Sequence, residues 1–388
     1  MKYSVRPAFM EVNINHMAHN LMEVRKKVGQ NVKVCAVIKA DGYKLGVHQA
    51  AQTYIEAGAD MLAVAILDEA LELRKCFSTI PILVLGYTPE EGFSQSIASN
   101  IRLTLYSLTQ GIRLNETAQL LGKEAIIHLK VETGMNRLGF LPTDESILAI
   151  KQLTQLKYIS CEGIYSHLAR ADELDKSSAK QQKKVFDTFC EKLKKQEVDF
   201  PIRHLANSAA IIDLPDFYYD MVRPGIMLTG LYPSEEVNHA SVDLKLAFSL
   251  KARIALVKNI EQGAGVSYGH TFIADKPMKV ATIPIGYADG FSRLLSGKMS
   301  VVVGGVSCAI LGRICMDQCV IDVTHISSVN IGDECILYGD GTDGSKTPND
   351  VAKLLGTINY EVLTMIDRRV PRVYYQDDSI KMIKNYLL

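Results

Sequence analysis

Residues 34–46, with the sequence VCAVIKADGYKLG, decide how the rest of the chain is interpreted. The apolar run 35–38 is typical of a strand that is buried on both faces, and it ends abruptly at Lys39. In parallel α/β folds, ligands bind at the carboxyl ends of the strands. An apolar wall lowers the pKa of an amine, so Lys39 is a candidate to form a Schiff base. The alternative is a solvated lysine at a strand end.

Length and composition limit the possible classes of protein. A chain of 388 residues exceeds one ordinary domain and predicts two. Basic and acidic residues are balanced, 43 of each, which gives no electrostatic footprint for nucleic acid or an anionic membrane. No apolar run reaches the roughly 18 residues of a membrane span. The eight cysteines lack metal-binding spacings. We therefore expect reduced thiols, no metal site and a cytoplasmic protein without nucleic-acid or membrane partners.

Strand-like and helical patterns alternate through the first part of the chain. The eight predicted strands are 32–38, 61–66, 80–85, 101–105, 126–131, 159–166, 202–206 and 220–222. Helical patterns such as 47–57, 68–76 and 179–195 lie between them. Eight strands with intervening helices over about 200 residues predict an α/β fold with a (β/α)8 TIM-type barrel. An open, doubly wound sheet is the alternative.

After residue 232 the pattern changes to strands joined by glycine-rich turns. Strands are predicted at 250–256, 280–285, 300–303, 320–323 and 334–337. We therefore predict a barrel domain over residues 1–240 and a mostly β domain over 241–388. Residues 1–13 contain a short strand at 9–13, and its pairing with the second domain is left open.

Polar side chains follow several predicted barrel strands at their carboxyl ends. These residues are Lys39, Tyr43, Lys130, Arg137, His167, Asn207, Ser208 and Arg223. Each alone has an ordinary explanation, such as an ion pair or a helix cap. Their joint occurrence at the face where barrel enzymes place their chemistry favours an active site.

Five motifs in order carry a resemblance to a known family. They are AVIKAD at 36–41, TGMNRLG at 133–139, VSYG at 266–269, IGYADG at 285–290 and GRICMD at 312–317. With these motifs the chain resembles the fold-type III pyridoxal-phosphate enzymes and, within them, the alanine racemase family. The resemblance covers nearly the whole chain.

The resemblance implies pyridoxal 5'-phosphate as the cofactor, with Lys39 as the residue that holds it. The other implied cofactor-binding residues are Tyr43, Asn207, Ser208, Gly225, Ile226 and Tyr360, most of them around the phosphate. Arg223 resembles the family's partner for the pyridine nitrogen. Because arginine only donates hydrogen bonds, the ring nitrogen would stay unprotonated, which should limit transamination.

The resemblance also implies racemisation by two bases on opposite faces of the substrate Cα. Lys39 resembles one base and Tyr268 the other. A free phenol has a pKa near 10 and is a poor base at neutral pH, so His167 and Arg137 would stabilise its anion.

The implied substrate-binding residues are Arg137, Met316, Tyr287 and Asp317. The substrate would be alanine, with D-alanine supplied for the cell wall. Serine or another small amino acid is the alternative substrate. Tyr268 would reach Lys39 of a second copy, giving a homodimer with shared sites. Lys130 resembles a lysine that is carbamylated in many members, and an ordinary Lys130 paired with Glu132 is the alternative.

The chain departs from the family pattern at several positions. Residues 43–46 read YKLG where the family usually has YGHG, which removes a histidine near the implied phosphate. Gly42 replaces a customary alanine, and Glu132 stands where aspartate is common. Two other functions are alternatives. A decarboxylase of the same fold should carry a carboxylate in place of Arg223. A non-catalytic pyridoxal-phosphate carrier should lack residues 241–388 and Tyr268.

Overall fold

The computed structural model of the chain describes residues 6–388. These residues form two compact units. The first unit spans Met17–Lys245, and the second combines the described residues up to His16 with Leu246–Leu388.

The first unit is a closed barrel of eight parallel strands. In chain order the strands are Lys33–Val37, Met61–Val64, Ile82–Val84, Arg102–Leu105, Ala125–Lys130, Ile159–Tyr165, Ile202–His204 and Met221–Val222. Lys33 of the first strand pairs with Met221 of the eighth, which closes the barrel. The predicted (β/α)8 barrel is therefore confirmed, and the open-sheet alternative is wrong.

Helices alternate with these strands. They are Ile14–Val28, Val47–Glu56, Leu67–Cys76, Phe93–Ala98, Leu108–Leu121, Asp144–Thr154, Ser177–Lys195 and Ser208–Asp213. The longest helix, Ser177–Lys195, shows why these segments are helical. It buries Ala179, Phe186, Phe189 and Leu193, whose spacing places them on one side of a helix, while most of its lysines reach solvent.

The barrel strands are apolar because they are covered on both faces. All four residues of Met61–Val64 are buried. Residues 34–38, which cover most of the first strand and the residue after it, are buried as well. Continuous apolar runs of this kind are typical of parallel strands with helices outside and a packed interior. The barrel core therefore fixes the polar residues that follow each strand at one end of the barrel.

The second unit is mostly β, as predicted. Its main sheet contains ten strands: Ala8–Asn13, Phe248–Arg253, Leu256–Ile260, Met278–Ile283, Ser300–Val303, Val306–Leu311, Cys319–Asp322, Glu334–Tyr338, Arg372–Gln376 and Ser379–Lys384. A two-stranded ribbon pairs Gly265–Val266 with Phe272–Ile273. The strand Ala8–Asn13 pairs antiparallel with Phe248–Arg253 and parallel with Arg372–Gln376.

The second unit also differs from the sequence-based prediction in two respects. The single strand predicted over 250–256 is two strands, because the chain changes pairing partners between them. Ile254 N–H donates to Asp333 O, whereas Ala255 N–H donates to Thr282 O. Two short helices, Pro348–Leu355 and Asn359–Thr364, were not predicted. Across residues 6–388, none of the helices combines the length and apolar character needed to cross a bilayer.

Candidate active site

Lys39 begins a tight left-handed turn directly after the first barrel strand. The turn covers Lys39–Tyr43, and Ala40, Asp41 and Gly42 have φ values of 55°, 59° and 64°. Left-handed backbone costs a residue with a side chain roughly 1–2 kcal/mol, so the segment needs external support. Gly42, the departure from the family's alanine, accepts this conformation without that cost.

Two carboxylates hold the turn in place. Glu69 Oε1 accepts the Ala40 N–H at 2.6 Å, and Asp41 Oδ1 accepts the Val47 N–H at 2.8 Å. The second bond also ties the turn to the start of the following helix, Val47–Glu56. On the other side of Lys39, Ile38 N–H donates to Ala63 O at 2.8 Å. The backbone is thus held on both sides of Lys39, which is what a positioned reactive amine requires.

The surroundings of the Lys39 amine lower its pKa and so favour its neutral form. The side chain is accessible to solvent in the single chain. Even so, partial burial of the amine and the positive charge of Arg137 lower its pKa, against an opposing effect of Glu69. A lowered pKa increases the fraction of neutral amine, the form that acts as a nucleophile or base.

Tyr43, Ser208 and Gly225 meet at the carboxyl ends of the first, seventh and eighth barrel strands. Gly225 N–H donates to Ser208 Oγ at 3.0 Å. A Cβ atom at Gly225 would lie only 2.5 Å from the Tyr43 hydroxyl, so glycine leaves room for the phenol. The three residues thus form a small cradle with two hydroxyl groups and backbone amides, which suits a phosphate group.

The remaining predicted residues of the cradle belong to adjoining turns. Asn207 caps the helix Ser208–Asp213, with its Oδ1 accepting the Ala210 N–H at 3.1 Å. Ile226 begins the 3-10 turn Ile226–Thr229. The Asn207 side chain therefore supports the helix that carries Ser208.

Filling the space at Gly225 should disturb the cradle. We expect Gly225→Ala to lower the free energy of unfolding of the cofactor-free protein by about 1–3 kcal/mol, because the new methyl group displaces the Tyr43 hydroxyl. Urea denaturation measures this effect.

The matched control for this substitution is Tyr43→Phe, which removes the atom that the methyl group meets. In the Tyr43→Phe background, Gly225→Ala should destabilise the protein less than it does alone. Equal destabilisation in both backgrounds would contradict the close approach of Tyr43 to Gly225.

Arg223 is buried and most of its guanidinium is bound to the protein. Nη1 lies 2.8 Å from His204 Nδ1, and Nη2 donates to Ser166 O at 2.7 Å and to Leu205 O at 3.2 Å. The Nε–H has no partner among residues 6–388 and remains available to a ligand. Burial lowers the Arg223 pKa to about 10, which still leaves the group charged at neutral pH. A donor of this kind fits the acceptor nitrogen of a pyridine ring.

His167 lies among positive charges. Burial lowers its pKa well below the usual value, and the charges of Arg223, Arg137, Lys130 and Lys39 lower it further. His167 is therefore neutral at pH 7. Arg223 Nη2 lies 3.4 Å from His167 Nδ1. Because arginine has no acceptor, this contact favours the tautomer that carries its proton on Nε2.

Lys130 and Glu132 do not form the ion pair that the sequence left open. Lys130 Nζ donates to Val131 O at 2.8 Å, and no carboxylate of the described chain lies within ion-pair distance of it. Burial and the charge of Arg223 lower the Lys130 pKa to about 7, with Glu132 opposing and Arg137 adding to the shift.

The Glu132 carboxylate instead organises the loop that carries Arg137. It accepts the backbone N–H groups of Gly134, Met135 and Arg137 at 2.6, 2.6 and 3.1 Å. Partial burial raises the Glu132 pKa, but these backbone hydrogen bonds outweigh burial and the pKa is lowered. The Arg137 side chain itself is exposed in the single chain. Glutamate therefore serves here in the position where aspartate is customary.

Tyr268 lies in the second unit on the 3-10 turn Tyr268–His270 and is 71% exposed. The preceding Ser267 has a φ of 61°, and its Oγ donates to Arg313 O at 2.5 Å. A cavity of about 570 Å³ lies beside the turn, and its lining includes Tyr268, Met316 and Asp317. The turn thus presents the phenol at an open cavity.

Backbone contacts bring the other predicted residues of the second unit together. Tyr287 N–H donates to Cys315 O at 3.1 Å, and Ala288 N–H donates to Met316 O at 3.0 Å. Asp317 pairs with Arg369 at 2.7 Å. Tyr287, Met316 and Asp317 therefore form one cluster. Tyr360 lies in the helix Asn359–Thr364 and is half-buried.

Several supporting residues were not found from the sequence. Glu69 holds the turn after Lys39, and Arg369 anchors Asp317. Asp289 is fully buried and accepts a hydrogen bond from Gly286 N–H at the base of the Tyr287 turn. Asp289 is part of the motif IGYADG, and Arg369 lies outside the five motifs, but nothing in the sequence gives their partners. Only the burial and pairing seen in the structure identify them.

The fold and the barrel residues together define a class of protein. A closed parallel barrel that gathers a lysine, an arginine and a histidine at the carboxyl ends of its strands is the architecture of a (β/α)8 enzyme.

Comparison with known proteins defines the family. The family model described as the alanine racemase N-terminal domain matches residues 12–233, and the model of the C-terminal domain matches residues 247–374. The chain is 43% identical over 387 residues to an alanine racemase of Clostridium perfringens, with 100% of each chain covered. The chain belongs to the alanine racemase family, whose members are isomerases.

Solved structures agree with this assignment. The alanine racemase of Clostridium difficile 630 superposes with a TM-score of 0.96 at 41% identity, covering 100% of both chains. The alanine racemase of Bacillus anthracis with bound L-Ala-P gives a TM-score of 0.93 at 33% identity, covering 99% of both chains. The resemblance inferred from the five sequence motifs is thereby confirmed.

Proposed function

We propose that this protein interconverts L- and D-alanine with pyridoxal 5'-phosphate as its cofactor, using Lys39 and Tyr268 as two bases. The observation that carries the proposal is the arrangement at the barrel end. There, an amine with a lowered pKa follows one strand, and the cradle of Tyr43, Ser208 and Gly225 lies at the same end. Membership of the alanine racemase family supports the substrate.

The residues of the barrel fit the proposed cofactor. Tyr43, Ser208 and the backbone of Gly225 and Ile226 would bind the phosphate, and Arg223 Nε–H would donate to the pyridine nitrogen. Lys39 would hold the cofactor when no substrate is present. Tyr360 of the second unit is proposed as a further phosphate ligand. When bound, pyridoxal phosphate withdraws electrons from the amino acid and so makes its Cα–H acidic.

Racemisation then requires proton transfer on both faces of Cα, which a single base cannot readily perform. The neutral amine of Lys39 would accept or return the proton on one face. The Tyr268 phenol would do so on the other face. Arg137 and neutral His167 would stabilise the phenolate by donating hydrogen bonds, because an isolated phenol with a pKa near 10 is a weak base at pH 7.

Four residues are proposed to contact the substrate. Arg137 would bind the substrate carboxylate by a charge-assisted hydrogen bond. The Met316 backbone, Tyr287 and Asp317 would complete this part of the site. Proton transfer at Cα requires that the bound amino acid be held in a fixed orientation between the two bases. The main contribution expected of these four residues is therefore to position the substrate through its carboxylate.

A chiral assay over a panel of amino acids tests the proposed function. Alanine should be racemised with the highest kcat/KM, and serine should be slower by up to about 200-fold, the range for discrimination of one small group. If kcat/KM is higher for serine than for alanine, serine is the preferred substrate and the proposal of alanine is wrong. Binding of pyridoxal phosphate without turnover of any amino acid would favour a non-catalytic carrier.

The cellular role, the location and the oligomeric state of the protein are also proposed. Supply of D-alanine for the cell wall and a cytoplasmic location are proposed on the strength of the family alone. A homodimer is also proposed, because alanine racemases are typically dimeric. The exposure of Tyr268 in the single chain supports a site that a second copy completes.

We further expect Lys130 to carry a carbamate. Its neutral amine would attack CO2, forming an N–C bond and releasing one proton. The Lys130 pKa of about 7 makes that amine available at neutral pH, and the neighbouring charges of Arg223 and Arg137 would stabilise the resulting anion. Occupancy should therefore rise as the pH increases through about 7 and should fall below it.

Carbon-13 NMR after equilibration with labelled bicarbonate measures the carbamate. A carbamate resonance should appear in the wild-type protein at pH 8 and should be absent from Lys130→Met. A resonance that persists in this variant would assign the modification to another amine. Its absence from the wild-type protein would leave Lys130 unmodified.

A further inference from the structure

A continuous chain of hydrogen bonds runs through the barrel from Arg223 to Arg102. Arg223 Nη1 lies 2.8 Å from His204 Nδ1, and His204 Nε2 lies 2.8 Å from His128 Nδ1. His128 Nε2 lies 2.9 Å from Glu162 Oε2. Arg102 Nε and Nη2 donate to the two oxygens of Glu162 at 3.1 and 3.2 Å.

The chain connects the two ends of the barrel. Arg102 is the first residue of the fourth strand, and His128 and Glu162 lie within the fifth and sixth strands. His204 is the last residue of the seventh strand, and Arg223 follows the eighth. Both imidazoles are completely buried, whereas the Glu162 side chain retains 24% exposure. The chain therefore leads from the amino ends of the strands to the candidate site.

The donors and acceptors of this chain fit together in only one direction. Arginine has no acceptor, so His204 Nδ1 must accept from Arg223, and the His204 proton lies on Nε2. His204 then donates to His128 Nδ1, which places the His128 proton on Nε2 as well. His128 finally donates to Glu162, whose carboxylate accepts from Arg102 on its other side. A protonated imidazole would set one N–H against another within the chain.

The electrostatics agree with this assignment. Burial lowers the His204 pKa well below its usual value, and the charge of Arg223 lowers it further. Burial also lowers the His128 pKa, although Glu162 opposes the shift. Partial burial raises the Glu162 pKa, but hydrogen bonds from His128 and Arg102 outweigh it and bring the pKa to about 2. At neutral pH the chain contains two neutral imidazoles between an arginine and a carboxylate.

We propose that Glu162 is a positioning residue that fixes the Nε2–H tautomers of His128 and His204 and thereby the orientation of Arg223. In that orientation Nη1 and Nη2 are held by the protein, and Nε–H is left without a protein partner. The assignment of tautomers depends only on the barrel. Its consequence for the pyridine ring rests on the proposed function.

Removing both carboxylate oxygens leaves the His128 Nε2–H without its acceptor. Glu162 Oε2 accepts from both His128 and Arg102, and Oε1 accepts from Arg102. An amide would not remove the acceptor, because its oxygen can stay towards His128 while its nitrogen faces Arg102. In Glu162→Leu one N–H of the chain must lose its acceptor, either at His128 Nε2 or, after both imidazole protons move to Nδ1, at His204 opposite the Arg223 donor. Both arrangements leave a buried donor unpaired, so the Nε2–H tautomers lose their preference and Arg223 loses its fixed orientation.

Nitrogen-15 NMR of histidine-labelled, cofactor-free protein tests the proposal directly, since the chain has only nine histidines. In the wild-type protein at pH 7, both His128 and His204 should be neutral with the proton on Nε2. An Nδ1–H tautomer or a protonated ring at either position would overturn the proposal. This measurement does not depend on whether the Glu162→Leu variant folds.

The variants separate the role of the carboxylate from that of the ion pair. In Glu162→Leu at least one of the two rings should no longer be exclusively in the Nε2–H form, and the affinity for pyridoxal phosphate should fall. The matched control Arg102→Lys keeps the carboxylate and should keep both tautomers. Unchanged tautomers in Glu162→Leu would overturn the proposal. If no variant or wild-type protein binds pyridoxal phosphate, the proposed function fails while the tautomers still decide this inference.

Discussion

Lys39→Ala is expected to lower the racemase kcat/KM by about 10⁴-fold or more, the largest effect of any single substitution. The change removes both the amine that would hold the cofactor and one of the two proposed bases. The matched control is Lys33→Ala, which removes an exposed lysine at the other end of the same strand. This control should retain its activity.

Borohydride reduction provides a second measurement at Lys39. In the loaded protein, reduction should fix the cofactor to the peptide that contains Lys39, and mass spectrometry should locate it there. Attachment to another lysine would contradict the role assigned to the strand end. Substantial racemisation by Lys39→Ala would contradict it as well.

Tyr268→Phe is expected to lower kcat/KM by about 10²–10⁴-fold, because it removes the hydroxyl of the second proposed base and keeps the ring. Tyr386→Phe is a suitable control, since this tyrosine belongs to none of the proposed contacts. If the Tyr268→Phe variant keeps its activity, the Tyr268 hydroxyl is not the second base, and another residue must transfer the proton on that face of Cα.

Mixing the two inactive variants tests whether a second copy completes the site. Lys39→Ala and Tyr268→Phe should each be nearly inactive as homodimers. When they are unfolded, mixed and refolded, a heterodimer with shared sites contains one complete site, so activity should rise well above either parent. If each site lies within one chain, every site lacks a base and mixing restores nothing.

The barrel was predictable from the sequence because its signal is local and repeated. Most of the strands, such as Met61–Val64, are short apolar runs, and helical patterns lie between most of them. The second unit was less predictable. There the chain can change its hydrogen-bonding partner strand from one residue to the next, as between Ile254 and Ala255. No local sequence pattern predicts such a change.

The candidate site divides in the same way between predictable and unpredictable parts. Lys39, His167 and Arg223 were predicted as candidates because they follow apolar strands in the sequence. The partner of Glu132 was not, because Lys130 lies two residues away and sequence proximity favours an ion pair. In the structure the Glu132 carboxylate accepts hydrogen bonds from three backbone N–H groups instead. These groups point at the carboxylate because of the conformation of the following loop, which the sequence pattern does not predict.

The hydrogen-bonded residues behind Arg223 could not be paired from the sequence. His128, Glu162 and His204 are polar residues on three different barrel strands. A buried polar residue in a barrel strand indicates that a partner exists, but only the register between strands identifies it.

Hydrogen exchange at Cα in D2O tests the two-base account most directly. Tyr268→Phe loaded with pyridoxal phosphate is incubated with each alanine enantiomer, and deuterium at Cα and configuration are followed by NMR and chiral chromatography. With only Lys39 remaining, deuterium should enter one enantiomer alone, and that enantiomer should keep its configuration. Exchange into both enantiomers at similar rates, or racemisation at the wild-type rate, would contradict two bases on opposite faces.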